Sequence, residues 1–361
     1  MTLFTDLKKI PFISDSATPD PVVIAGPCSA ESEEQVMQTA RQLSKIPVKI
    51  FRAGVWKPRS RPGSFEGAGE KALPWLLMVK RDLGLEPMIE IANPRHLEEA
   101  LLSGIRMFWI GARTSANPFA VQEIADFLEA LPEEVKEEIS ILVKNPVNPD
   151  LELWIGAIER LYDAGVRRLG AIHRGFGYYG KSGFRNSPEW RIPIELKRRC
   201  PNLPLLCDPS HIGGKSEMVG PISQQALDMK FDGLIIESHI RPSEAKSDAR
   251  QQVTPSELKE IIVSLVRKGD SGSNSELAGL RDRIDTLDRQ LLNILSERME
   301  ISRRIGDFKQ RHRLSVVQPE RYEQLVGRCV DYGEELGLPP AFTRDILAAI
   351  HEESVRQQTN S

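Results

Sequence analysis

No apolar run in the chain reaches 18 residues, so nothing reads as a membrane-spanning helix. The opening residues, MTLFTDLKKIPF, lack the apolar stretch and small-residue cleavage site of a secretory signal, and the expectation is a soluble, cytoplasmic protein with no membrane partner. Cysteine is scarce. Cys28, Cys200, Cys207 and Cys329 lie 172, 7 and 122 residues apart, which excludes a CxxC zinc or redox motif and argues against a disulfide framework. Excess charge is missing as well: 48 Lys+Arg against 51 Asp+Glu leave a net charge of -3, which excludes a nucleic-acid partner held by bulk positive charge. What is present, 361 residues with 40% hydrophobic and 27% charged, is enough for two domains or one large one.

The small polar stretch KGDSGSNSE, Lys268 to Glu276, reads as a flexible connection. It divides the sequence into a first domain at 1–268, a linker at 269–276 and a second domain at 277–361. All five tryptophans precede it, and the segment after it is charged and helix-like. In the first domain eight short runs rich in β-branched residues alternate with helical periodicity: VVIAGPCS from Val22, VKIFRAG from Val48, EPMIEIA from Glu86, MFWIGA from Met107, ISILVKN from Ile139, RRLGAIH from Arg167, LPLLCDPS from Leu203 and DGLIIESH from Asp232. Their spacing is near the ~30 residues of a strand–helix–strand unit. Eight such units predict an α/β (β/α)8 TIM barrel. An open doubly wound sheet is the alternative, and it would leave the first and last strands far apart.

In a barrel of this kind, chemistry gathers at the C-terminal ends of the strands. Cys28 falls at the end of the first, His211 after the seventh in DPSH, Glu237 late in the eighth and Asp248 in the loop that follows. Strands seven, eight and one are consecutive around a closed ring, so one sulfur, one imidazole and two carboxylates converge there. Such a mixed set suits Mn, Fe, Co or Zn better than Mg or Ca. The other strand ends are basic: Arg52, Lys57, Arg59 and Ser60 in FRAGVWKPRS, Arg113 in GAR, Lys144 in LVKN and Arg174 in HRG. Singly these are ordinary surface charges. Facing one mouth together they would repel one another unless anions bind, and arginine forks suit phosphate and carboxylate oxygens. GFGYYG, Gly175 to Gly180, matches GxGxxG, but KSGFRNSP follows it and opens no helix, so a dinucleotide site is rejected.

AGPCS, FRAGVWKPRS, IGAR, LVKN, DPSH and GLIIESH followed by SDARQQ, in that order, resemble 3-deoxy-D-arabino-heptulosonate 7-phosphate (DAHP) synthase of the type I beta subgroup over most of residues 20–265. The resemblance implies a metal-dependent condensation of phosphoenolpyruvate with erythrose 4-phosphate. Cys28, His211, Glu237 and Asp248 would be the ligands of one divalent ion. Arg113, Lys144 and Arg174 would hold the phosphate of phosphoenolpyruvate, Lys57 with Arg52 nearby its reacting end, and Arg59 and Ser60 the aldose phosphate. KPRS at 57–60 favours the four-carbon aldose over the longer sugar of the related 3-deoxy-octulosonate 8-phosphate synthase, which resembles KANRSS there.

After the linker, Leu277, Leu280, Ile284, Leu287, Leu291, Ile294, Ile301, Ile305 and Phe308 follow the three-and-four spacing of a helix stripe. A helix from 277 to 312 would span about 54 Å, too long for so small a domain to bury by itself, which predicts a homodimer through this domain. Two more helices are expected from Pro319 to Leu336 and from Pro340 to Gln358. Arg298 stands in the stripe where an apolar residue is expected. Lys309 returns to nearly its face, Arg281 points roughly 100° away, and Ser354 and Gln358 share a face of the last helix.

LxxRIDxLDxQLLxxLSERMExSRRIGxFK, with QPER and HEESVRQQ behind it, resembles the all-helical class of chorismate mutase across 277–358. That implies rearrangement of chorismate to prephenate in a dimer. Arg298, Arg321 and Arg281 of the partner subunit would bind carboxylates, Lys309 and Gln358 would contact the ether oxygen, and Ser354 would support binding. Family members often carry a carboxylate where Gln318 stands and a Glu where Tyr322 stands. The alternative is a non-catalytic sensor and dimerisation module that throttles the barrel.

Overall fold

A computed structural model describes residues 3–13, 21–57, 63, 65–178, 183–266, 275–315 and 319–359. The chain divides into two compact units, Met1–Gly269 and Asp270–Ser361. No helix among the described residues is long and apolar enough to cross a membrane.

In the first unit all eight expected runs become strands: β1 Val22–Gly26, β2 Ile50–Ala53, β3 Glu86–Ile91, β4 Met107–Ile110, β5 Ser140–Lys144, β6 Arg168–His173, β7 Leu205–Cys207 and β8 Gly233–Glu237. They form a closed parallel barrel in chain order. The open-sheet alternative is excluded by the ladder that joins β1 to β8, from Val22 opposite Gly233 to Gly26 opposite Glu237. The connecting helices start where short polar side chains satisfy free amides. Ser32 accepts from Gln35 N, Asn93 from His96 N and Asp150 from Leu153 N, while Thr254 and Glu257 form a reciprocal capping box. Proline occupies the first turn of Pro94–Leu102, Pro118–Glu129 and Pro255–Ser264, where its missing amide costs nothing.

Alternate strand residues face opposite sides of the barrel wall. One set packs outward against the helices in the larger core. The other fills the barrel interior: Ile24, Ile50, Met88, Met107, Trp109, Leu142, Ile172, Leu206 and Ile235 form a single buried cluster. Ile10 and Ile13 join this cluster from the segment before β1. The amide of Lys8 donates to the carbonyl of Arg167 at 2.8 Å, tying that segment to the barrel. This plug carries no motif and was not expected. Two residues further along the inward register the chemistry changes. Arg52 follows Ile50, Glu90 follows Met88, Lys144 follows Leu142, Arg174 follows Ile172, Asp208 follows Leu206 and Glu237 follows Ile235. On six of the eight strands an apolar inward residue is therefore followed, two positions on, by a charged one.

The second unit consists of helices Ser275–Arg311, Pro319–Glu335 and Pro340–Thr359. The last packs against both of the others. At 37 residues the first is about 55 Å long. Its stripe stays on the surface of the single chain: Leu280, Ile284, Leu287, Leu291, Ile294, Ile301, Ile305 and Phe308 are all exposed, Leu287 by 56%.

Candidate active sites

Gly26 lies opposite Glu237 in the β1–β8 ladder, and the chain leaving β1 therefore enters the mouth beside the end of β8. At Gly26 φ is +152°, and a Cβ would lie 2.1 Å from the carbonyl oxygen of Arg52, so only glycine passes. β1 stops there, and Cys28, expected at the strand's end, stands two residues beyond it with its amide donating to Gln252 Oε1 at 3.0 Å. Cys28 Sγ, one Glu237 oxygen and one Asp248 oxygen all lie within 4.8 Å of one another. His211, on the short helix Pro209–Gly213 after β7, approaches from the side. Its Nε2 is 3.8 Å from Glu237 Oε1, and its Nδ1 is 2.8 Å from Asp208 Oδ2. The four expected ligands are thus gathered, three tightly and His211 at their edge.

Burial, with the Glu237 charge adding to it, pushes the Cys28 thiol up to about 12, against the pull of Lys57, whose Nζ is 3.0 Å from Sγ. Burial would raise both carboxyls too, but positive neighbours outweigh it. His211 and Arg52 hold Glu237 below the usual range, and His211 and Arg185 do the same for Asp248. Burial lowers the His211 pKa, against the pull of Asp208 and Glu237. A sulfur, an imidazole nitrogen and two carboxylates converging in a buried corner fit a divalent transition ion.

Lys57, Arg113, Lys144 and Arg174 line one cavity, which His211 and Asp248 also border. Lys144 is buried with its Nζ 2.7 Å from Asp208 Oδ2; burial lowers its pKa beyond what Asp208 restores. Arg174 donates to Asn186 Oδ1 at 2.7 Å and is brought down to about 10 by burial. Arg52 sits lower. It is 1% exposed, with Nη2 3.1 Å from Glu237 Oε1 and its guanidinium 4.9 Å from the Trp109 ring centroid. Removing one partner of such a desolvated pair costs about 3–5 kcal/mol. Arg59 and Ser60 lie outside the described residues.

Four polar residues of this mouth were not singled out in the sequence: Glu90, Asp208, Arg185 and Gln251. The first two follow from the inward register, since each comes two residues after a core residue. Nothing local marks the other two. Within the GxGxxG match Phe176 pairs with Ser187 in an antiparallel bridge, and the next helix among the described residues begins at Arg191; residues 179–182 lie outside the described set.

In the helical unit Arg298 Nη1 hydrogen-bonds Ser354 Oγ, and Lys309 Nζ donates to Gln358 Oε1 at 3.1 Å. Four expected residues therefore meet as two pairs between the first and last helices. Ser354 also donates to the carbonyl of Ile350 at 2.7 Å, which fixes its hydroxyl. Arg321 and Arg281 are exposed. Arg281 stands 17 residues before Arg298 on the same helix, about 26 Å away. Tyr322 stacks on His351, ring centroids 4.0 Å apart. Burial lowers the His351 pKa, and the charges of Arg298 and Lys309 lower it further. Gln318 lies outside the described residues.

Residues 15–270 match the model of the DAHP synthetase I family, and residues 280–359 match chorismate mutase type II. Phospho-2-dehydro-3-deoxyheptonate aldolase of Thermotoga maritima is 29% identical over 249 residues, covering 69% of this chain and 70% of the relative. The T-protein of Enterobacter agglomerans is 34% identical over 86 residues, 24% of this chain and 23% of that protein. A crystal structure of the Thermotoga maritima DAHP synthase superposes with a TM-score of 0.60 at 27% identity, over 74% of this chain and 70% of that one. The chain belongs to the DAHP synthetase I family and carries a chorismate mutase type II domain behind its barrel, the composition of a bifunctional shikimate-pathway enzyme.

Proposed function

We propose that the barrel condenses phosphoenolpyruvate with erythrose 4-phosphate in the cytoplasm, using one divalent ion held by Cys28, His211, Glu237 and Asp248. One observation carries this: a sulfur and two carboxylates lie within 4.8 Å of one another beside a cavity lined by Lys57, Arg113, Lys144 and Arg174. Mn, Fe, Co or Zn suits the donor set, and such an ion supplies Lewis acidity toward the aldehyde. Arg113, Lys144 and Arg174 hold the phosphate of phosphoenolpyruvate. Lys57, with Arg52 nearby, orients the reacting end, and Arg59 and Ser60 hold the aldose phosphate. Positioning two anions for attack lowers the barrier without any covalent bond to the protein.

The helical domain converts chorismate to prephenate as a homodimer. Arg298, Arg321 and Arg281 of the partner subunit take the carboxylates, Lys309 and Gln358 face the ether oxygen, and Ser354 supports the substrate and Arg298. The exposed stripe of the long helix is the face the partner covers. Such a rearrangement needs a compact conformer and positive charge beside developing negative density, with neither acid nor base. A second reading has one observation in its favour. Tyr322, where the family pattern has Glu, is stacked on His351, and a domain so altered would bind prephenate and throttle the barrel without turnover.

The test is an assay of the full chain with both substrate sets, with and without chelator. The expected outcome is DAHP formation abolished by chelation and restored by Mn2+, with chorismate conversion untouched. DAHP formation indifferent to chelation would remove the metal from the proposal. An intact synthase that leaves chorismate unchanged and is inhibited by prephenate would establish the second reading.

A further inference from the structure

Arg185 and Asn186, neighbours in the connection from β6 to β7, touch both halves of the barrel mouth and have no role in the reading above. Asn186 is buried. Its Oδ1 accepts from Arg174 Nη1 at 2.7 Å and its Nδ2 donates to the carbonyl of His211 at 2.6 Å. One amide thus spans from an arginine of the anion cavity to the backbone of the helix that carries an imidazole ligand. The amides of Arg185 and Asn186 both donate to the Ile212 carbonyl, at 2.9 and 3.2 Å, so the pair rides on that helix. Gly214 ends the helix with φ +70°, and a Cβ there would lie 2.5 Å from Arg185 Cβ, so glycine permits this close approach.

The Arg185 guanidinium reaches further. Its Nη1 is 3.0 Å from Asp248 Oδ1 and hydrogen-bonds Gln251 Oε1, and Gln251 in turn donates to Glu237 Oε2 at 2.7 Å. Through one side chain and one amide, Arg185 is connected to both carboxylates of the proposed metal corner. It also lines the cavity shared by Arg113, Lys144 and Arg174, with 42% of its side chain exposed. A divalent cation bound by Asp248 would put a second positive charge within a few ångströms of the Arg185 guanidinium, and the two would repel. Displaced from it, Arg185 has the anion cavity beside it.

We infer that Arg185 is a positioning residue that couples the two ligands. It pairs with Asp248 while the corner is empty, and it turns to the anionic substrate when a divalent ion takes that carboxylate. This rests on the reading of Cys28, His211, Glu237 and Asp248 as the metal ligands and of the cavity as the phosphoenolpyruvate site. Each ligand then tightens the other by the same factor, as linkage requires.

The experiment titrates the full chain with Mn2+, following the free ion by electron paramagnetic resonance, with and without saturating phosphoenolpyruvate. For the wild type, phosphoenolpyruvate is expected to tighten Mn2+ on the order of tenfold, within the usual range of coupling. In Arg185→Gln, Mn2+ alone binds about as tightly as the wild type binds it with phosphoenolpyruvate present, and adding phosphoenolpyruvate changes little. A merely structural role predicts the opposite direction, weaker Mn2+ binding in the variant. Arg185→Lys keeps the charge and is expected to keep part of the enhancement; it also carries the test if Arg185→Gln fails to fold. A wild type showing no enhancement, or a variant lacking the charge and keeping all of it, overturns the coupling. Mn2+ binding that survives Cys28→Ala overturns instead the metal reading beneath it.

Discussion

The two sites of this chain are built on opposite economies. In the barrel three cations meet counter-charges within one polypeptide: Arg52 meets Glu237 at 3.1 Å, Lys144 meets Asp208 at 2.7 Å and Arg185 meets Asp248 at 3.0 Å. In the helical unit the hydrogen bonds that tie Arg298 and Lys309 to the last helix go to neutral oxygens, of Ser354 and Gln358. Arg281 stands about 26 Å along the helix from Arg298, beside an apolar stripe open to solvent. A closed ring of strands can complete a site alone, because every strand end faces the same axis. Three helices leave the stripe of the first on the surface, and in the proposed homodimer a second chain would supply the rest of the site.

The sharpest way to test this contrast is to break each site singly. Cys28→Ala is expected to abolish metal binding and to lower DAHP formation by about a thousandfold or more, while chorismate conversion is kept. Arg298→Ala should lower chorismate conversion by about a hundred- to a thousandfold, the usual loss on removing a charge that meets the transition state, and leave the barrel's metal affinity unchanged. Steady-state rates for both reactions and a metal titration decide the matter. If either substitution depressed both activities equally, the two sites would not be independent.

A second test addresses the stripe. Leu287 and Leu291 are 56% and 55% exposed in the single chain, so replacing both with Asp should cost a lone subunit little, within about 0.5 kcal/mol per site. If a partner covers them, the double variant sediments as a smaller species than the wild type and loses most of its mutase activity. An unchanged sedimentation coefficient would show that this face is not an interface.

The smallest effect concerns acid stability. His173 lies on the outer face of β6 in the strand–helix core, among Trp154, Phe176, Trp190 and Phe231, and burial brings its pKa down to about 3. The unfolded chain takes up this proton near its ordinary value of 6.5 while the folded chain refuses it. The contribution is therefore fully present above pH 6.5 and is lost as pH falls toward 3, at up to about 1.4 kcal/mol per pH unit. Denaturant unfolding of the barrel at several pH values should show this slope, and His173→Phe should flatten it. A variant whose slope equals that of the wild type would assign the acid sensitivity elsewhere.

The strands were legible because β-branched runs recur at the spacing of a strand–helix–strand unit. The convergence of Cys28, Glu237 and Asp248 was legible because strand ends share one face. All three helices of the second unit start and stop within about two residues of where proline and periodicity put them, an ordinary margin for helix ends. The missing parts have a common physical cause. Lys144 and Asp208 lie 64 residues apart, Arg185 and Asp248 63, and only ring closure determines which charges face which. Ile10 and Ile13 look like any pair of apolar residues before a first strand; their place in the barrel interior depends on an opening that exists only once eight strands have met.

The β1–β8 ladder has one more consequence, for synthesis. Cys28 leaves the ribosome early, while Glu237 and Asp248 emerge more than two hundred residues later. Until the final strand docks along Val22–Gly26, the thiol has neither carboxylate beside it. On the proposed metal reading, a nascent or truncated chain could not assemble the full ion grip, and metal capture would report that the ring has been sealed.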